Sequence, residues 1–107
     1  MPLIVGMDSN AHSTLWGSRE DCKRGKDLED IFMELDLTVL NKGNESTFSS
    51  SRYGTVIDIT IANKAAIERW NFEDWKVDTS ESFSDHKYIT VMLINCDAKK
   101  KPLDTIT

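Results

Sequence analysis

The chain has 107 residues, 13 Lys and Arg against 18 Asp and Glu, and a formal net charge of −5. That length sets an upper bound of one domain with one modest core, and the balance excludes a protein that holds nucleic acid by charge alone, because such binding rests on cations neutralising phosphates. It does not exclude a metal-dependent nuclease, whose acidic residues count against the total while the bound ion supplies local positive charge.

At 39% apolar and 29% charged residues, the chain shows no disordered or collagen-like bias. Its apolar runs are strand-sized, so no membrane span is expected, and Met1-Pro2-Leu3-Ile4-Val5 lacks the basic start and apolar middle of a secretory signal. Cys22 and Cys96 form no pair motif, so a reduced, intracellular chain is the expectation.

In chain order, Leu3 to Met7 reads as a first strand ending at Asp8-Ser9-Asn10. In extended backbone, residues two apart point the same way, so Asp8 and Asn10 can reach one ligand together; the competing reading is a capped turn. A polar loop then runs to about Gly25, anchored by Trp16. Leu28, Ile31, Phe32 and Leu35 follow the spacing of an amphipathic helix, with Asp27, Glu29, Asp30 and Glu34 on the other faces. Thr38-Val39-Leu40 is a short strand, Asn41 to Asn44 has turn chemistry, and Thr47-Phe48 begins another strand.

Val56 to Ile61 has β-branched residues on both faces, as a strand covered on both sides does. Asp58 within it is the anomaly, since a buried carboxylate is costly unless paired. Its partner is either a histidine that it orients or a cation such as Arg52. Ala65 to Trp70 is expected to form a helical turn, Trp75-Lys76-Val77 a strand, and Tyr88 to Ile94 the last strand. Ser84-Asp85-His86 offers a hydroxyl, a carboxylate and an imidazole at a strand entrance, suited to acid, base or ligand roles. A polar tail, residues 97–107, follows the domain. The result is a mixed α/β domain with antiparallel pairing. His12, Cys22, His86 and Cys96 match no zinc spacing, and no nucleophile elbow surrounds Ser13 or Ser84.

Taken in order, the stretches Gly6 to Ser13, Leu15 to Ser18, Arg24-Gly25, Leu37 to Asn41, Thr47-Phe48, Ile57 to Thr60 and Ser84-Asp85-His86 resemble the endonuclease domain of non-LTR retrotransposons. That domain belongs to the endonuclease/exonuclease/phosphatase superfamily, with apurinic/apyrimidinic endonucleases. The resemblance is to its C-terminal half, one side of a four-layered α/β sandwich, over residues 1–96.

It implies Asp8, Asn10, Asp58 and His86 as catalytic residues, with Asp8 positioning the attacking water and His86, oriented by Asp58, contacting the phosphate. It further implies Asp85 and Asp8 at a Mg2+ (or Mn2+) ion, and Asn10, His86 and Ser84 as substrate-binding residues. Met7 stands where the family commonly has Gly before the Asp. The implied reaction nicks DNA to leave a 3′ hydroxyl for a reverse transcriptase of the same polyprotein, which places its action in the nucleus. The family's early Asn and its metal-binding Glu belong to the other half-domain. The chain is therefore expected to be a fragment with little activity alone, to lack membrane partners, and to pair with that half or self-associate through an exposed sheet face. The alternatives are a catalytically dead relic or interaction module of the same fold, or another phosphoesterase or phosphatase of the superfamily.

Overall fold

The computed structural model describes residues 1–49, 54–78 and 85–95. Strand β1 (Ile4–Asp8) pairs antiparallel along its whole length with β5 (Asp58–Ala62), and β2 (Thr38–Val39) pairs with the far edge of β5. The order β1-β5-β2 makes β5 the central strand. Two further antiparallel ladders join β3 (Phe48–Ser49) to β4 (Gly54–Thr55) and β6 (Trp70–Val77) to β7 (Ile89–Asn95). The expected mixed α/β, antiparallel architecture is present, built among the described residues from three sheets rather than one.

Because side chains alternate across a strand, β5 supplies two cores. Ile59 and Ile61 enter one with Trp16, Phe32 and Val56, beneath helix α1 (Lys23–Glu34). Ala62, on the opposite face, enters the other with Leu40, Trp75, Val77 and Ala66 of helix α2 (Lys64–Arg69). Thr60 shares that second face, and its Oγ1 accepts a 3.1 Å hydrogen bond from Trp75 Nε1. This is the doubly covered strand that the β-branched run implied.

Several boundaries differ from the sequence pattern. Val56 and Ile57 are buried but lie outside β5, where side-chain hydroxyls join the backbone bonding: Ser18 Oγ donates to the Val56 carbonyl at 2.8 Å, and the Ile57 carbonyl accepts from both Ser9 N–H at 2.8 Å and Ser9 Oγ at 2.7 Å. The loop after β1 holds a short 3-10 helix, Thr14–Trp16, capped by Ser13 and closed by Gly17 at φ 99°. Strand β6 starts five residues earlier than Trp75, at Trp70. The alternation Trp70-Asn71-Phe72-Glu73 was its overlooked signal. Its register shifts between Glu73 and Lys76, where Asp74 has φ 56°. The expected tail, 97–107, together with Arg52, Ser84 and Cys96, lies outside the described residues.

Helix α1 begins at Lys23, before the predicted stripe, with Cys22 as N-cap and Gly25 inside the helix. Glycine is disfavoured in a helix interior, yet this one is required: a Cβ at Gly25 would lie 1.9 Å from the His12 carbonyl oxygen. The helix thus presses directly on the loop leaving β1. Gly25→Ala is expected to destabilise the fold by about 1–3 kcal/mol through overpacking, despite alanine's better helix propensity, as a urea denaturation series will show. Of the predicted stripe, Phe32 is buried, while Ile31 (46%) and Leu35 (61%) stay largely exposed.

Candidate functional site

The ladder register brings the site together. Asp8, the last residue of β1, lies directly opposite Asp58, the first residue of β5. Like charges facing one another across a ladder repel, and the imidazole of His86 answers that repulsion. His86 Nδ1 lies 2.8 Å from Asp58 Oδ2 and 3.1 Å from Oδ1, while Nε2 lies 3.6 Å from Asp8 Oδ2. Since an ionised carboxylate only accepts, Nδ1 carries a proton and donates to Asp58. The histidine that Asp58 was expected to need is thus its partner in the fold.

His86 is held by an isolated bridge to Phe48, whose ring meets the imidazole edge-on at 4.8 Å between centroids. Asp58 is the most sheltered of the three side chains at 16% exposure, against 38% for His86 and 48% for Asp8. The exposed ends thus face outward and the orienting carboxylate lies beneath.

The His86 pKa is raised above the usual histidine value, first by the Asp58 hydrogen bond, with partial burial opposing and the charges of Asp58, Asp8 and Asp85 adding to the rise. A folded-state pKa above the unfolded one means that the protonated pair stabilises the fold fully below the unfolded value of about 6.5 and stops doing so as pH rises through the folded value. The stability difference between wild type and His86→Ala, from urea midpoints at a series of pH values, is therefore expected to be largest in mild acid and to shrink toward alkaline pH.

At Asn10 the capped turn, rather than the extended face, is the geometry present. The strand ends at Asp8, Asn10 takes the left-handed φ of 47°, and its backbone N–H donates to Asp8 Oδ1 at 2.9 Å. The pair forms an Asx turn, so Asp8 and Asn10 are not neighbours on one extended face. The turn instead fixes one Asp8 oxygen and leaves Oδ2 toward His86.

The Asp8, Asp58 and His86 ligand atoms all lie within 4.8 Å of one another, the only such grouping of three among the described residues. Asp85 is exposed and outside it. The predicted site residue Ser84 lies outside the described residues. A cleft of about 360 Å³ opens beside the cluster, lined by Gly6, Asp8, Asp58, Thr60, Lys87 and Val91. A larger groove of about 730 Å³, bordered by His12, Arg19, Cys22, Asn44 and Ser46, contains none of the three. Cys22 Sγ there accepts backbone hydrogen bonds from His12 and Gly25, which lower its pKa. Phe48 was quoted for the sequence pattern but given no task; no local signal ties it to a histidine 38 positions away, a contact that only the β bridge creates.

Comparison with known proteins gives the family of the chain. A family model described as endonuclease-reverse transcriptase matches residues 1–90. The chain is 37% identical over 100 residues to a 115 kDa protein in type-1 retrotransposable element R1DM of Drosophila melanogaster, a match spanning 85% of this chain and 10% of that protein. It is 36% identical over 98 residues to a retrovirus-related Pol polyprotein from type-1 retrotransposable element R1 of Bradysia coprophila, spanning 83% and 10%. Among solved structures it is similar to the endonuclease domain of TRAS1, a telomere-specific non-LTR retrotransposon, with TM-score 0.76 and 35% identity over 84% of this chain and 42% of that one. The chain thus spans about a tenth of its curated relatives and less than half of the solved domain, and it belongs to the endonuclease-reverse transcriptase family as a portion of a non-LTR retrotransposon endonuclease domain.

Proposed function

We propose that this chain carries the Asp8, Asn10, Asp58 and His86 part of a DNA-nicking site that hydrolyses one phosphodiester bond and leaves a 3′ hydroxyl for a reverse transcriptase to extend. The supporting observation is the Asp58–His86 pair at 2.8 Å, set beside an exposed Asp8 at the mouth of a cleft. In-line attack on a phosphodiester needs a placed nucleophile, charge neutralisation on the non-bridging oxygens and help for the departing oxygen. Asp58 fixes the imidazole by accepting from Nδ1, which leaves Nε2 on the Asp8 side, 3.6 Å from its Oδ2; in the protonated ring, which Asp58 favours, Nε2 is the donor to a phosphate oxygen. The Asx turn holds the Asp8 carboxylate so that Oδ2 is placed to orient the attacking water and take its proton. Asn10, exposed at the same turn, is positioned to offer its amide to the scissile phosphate.

Two carboxylates and an imidazole within 4.8 Å suit a divalent cation, and Asp8 has an exposed oxygen for it whereas Asp58 is engaged by His86. Mg2+ keeps most of its waters and takes few protein ligands, so Asp8 would hold it here, with Asp85 from outside the cluster. Bound there, the ion supplies charge neutralisation on the phosphate and a lowered pKa for water. DNA, the rest of the endonuclease domain and the reverse transcriptase are the partners this reading requires, and the nucleus is its place of action.

The test is nicking of supercoiled plasmid with Mg2+ by the endonuclease domain as it occurs in the parent polypeptide, beside this chain alone. The expected result is open circles from the complete domain, with ends that a polymerase extends, and little product from the chain alone. No nicking by the complete domain, or ends that resist extension, would overturn the proposal.

A further inference from the structure

The β2–β5 ladder ends at the Val39–Ile61 pair, with one further backbone bond from Leu40 N–H to the Thr60 carbonyl at 2.8 Å. Beyond that point, on the side of β5 opposite β1, no strand among the described residues pairs with the Asp58 end. Two side chains take the strand's place. Asn41 Oδ1 accepts from Thr60 N–H at 2.9 Å and Asn41 Nδ2 donates to the Asp58 carbonyl at 3.1 Å. Thr47 Oγ1 accepts from Asp58 N–H at 3.0 Å and from Ile57 N–H at 3.1 Å. The amide orientation of Asn41 follows from its partners, since the Thr60 N–H needs an acceptor and the Asp58 carbonyl a donor.

Thr47 is fully buried and also holds the opposite side of the site. Its carbonyl accepts from Lys87 N–H at 2.8 Å, next to His86, and Ser49 N–H donates to the Asp85 carbonyl at 2.9 Å. One residue therefore fixes the backbone of Asp58 through its side chain and the His86-bearing segment through its main chain. The Asp58–His86 hydrogen bond spans 28 positions of sequence, and Thr47 bonds to the chain on both sides of it.

Building on the proposed nicking site, we infer that Asn41 and Thr47 are positioning residues for cleavage: they act as a surrogate strand that sets the distance between Asp58 and His86. Neither is a catalytic residue; both act through Asp58. Hydrogen bonds weaken steeply with lost alignment, and a misplacement of about 1 Å in a catalytic group costs on the order of 100-fold in rate.

The test uses Thr47→Val, which keeps the side-chain shape and removes the acceptor, Thr47→Ser, which restores it, and Asn41→Ala. In this chain, labelled with nitrogen-15, the His86 Nδ1–H proton held by Asp58 is expected as a slowly exchanging downfield resonance. Thr47→Val and Asn41→Ala are expected to broaden or remove it, and Thr47→Ser to keep it. Ser13→Ala, which removes the bonds to Glu29 and Leu15 N–H but none made by Asp58 or His86, controls for general loosening and is expected to leave the resonance intact. In the complete domain, kcat for nicking is expected to fall at least tenfold in Thr47→Val with KM unchanged, and to return in Thr47→Ser. An unaltered resonance in folded Thr47→Val and Asn41→Ala overturns the inference. So does an Asp58 amide in the wild-type chain that exchanges as fast as a free peptide, a measurement that stands even if both variants fail to fold. Absence of nicking by the wild-type domain would sink the nuclease reading instead, and the resonance would still decide the positioning role.

Discussion

His86→Ala is expected to lower DNA nicking by the complete domain by roughly 100- to 10,000-fold, the range that a positioned proton-transfer or donor group contributes. Asp58→Asn is expected to approach the same loss by another route. A carboxylate accepting from Nδ1 also favours the imidazolium, the form in which Nε2 can donate to substrate; a neutral amide takes that support away, so fewer rings carry both protons. Because Asp58 and His86 form one hydrogen-bonded pair, the double variant should be little worse than either single one. KM should change little, since DNA is gripped over many phosphates and one donor contributes a small share.

The variants differ in stability. His86→Ala removes the Phe48 ring contact and leaves Asp58, only 16% exposed, without the imidazole, a loss of about 1–3 kcal/mol. Asp58→Asn keeps a hydrogen-bonding group in place and should cost less. Parallel urea curves and nicking rates separate the two effects: nicking lost only in proportion to unfolding would remove His86 from the chemistry.

The parts legible in the sequence were those with local causes. Leu28 and Phe32 sit at helical spacing and both pack into the first core. The β-branched run around Ile59 announced a strand covered on both faces, and from that burial alone Asp58 was recognised as needing a partner. Which partner it took depends on the β1–β5 register and on the bridge at Phe48, pairings between distant segments that no window of sequence contains. Of the two geometries the sequence allows at Asp8-Ser9-Asn10, the capped turn is present and the extended face is not, because the Asp8 side chain accepts from the N–H two positions on. Gly25, where the sequence pattern ends a polar loop, lies inside α1, and only the neighbouring His12 carbonyl shows why no larger residue fits. The hydroxyl and amide ties of Ser9, Ser18, Thr47 and Asn41 were silent because a short polar side chain carries no sign of which distant backbone group it will meet.

Trp16→Ala is expected to be the most destabilising single change, by about 3–5 kcal/mol, as befits removal of a large aromatic ring from a core. The side chain is 1% exposed, packs against Phe32 with ring centroids 6.2 Å apart, and shares its core with Val56, Ile59 and Ile61. Its Nε1 donates to the Ala11 carbonyl at 3.3 Å, so truncation also leaves that buried acceptor only the Ser9 hydroxyl at 3.2 Å. Domains have only about 5–15 kcal/mol to lose, and this one keeps Ile31, Met33 and Leu35 largely outside its core. A chain with so small a buried core is expected to be partly unfolded at room temperature once Trp16 is gone. Trp16→Phe, which keeps an aromatic filler and loses the N–H, should retain most of the stability. The effect should also reach the site: the Trp16 indole ties down Ala11, the residue after Asn10, so loosening it releases the Asx turn that orients Asp8. Thermal and urea unfolding followed by circular dichroism reads the first effect, and the amide exchange rate of Asn10, whose N–H the turn holds, reads the second. A loss below about 1 kcal/mol in Trp16→Ala, far under the usual cost of an emptied aromatic site, would show that the loop after β1 does not rest on this indole.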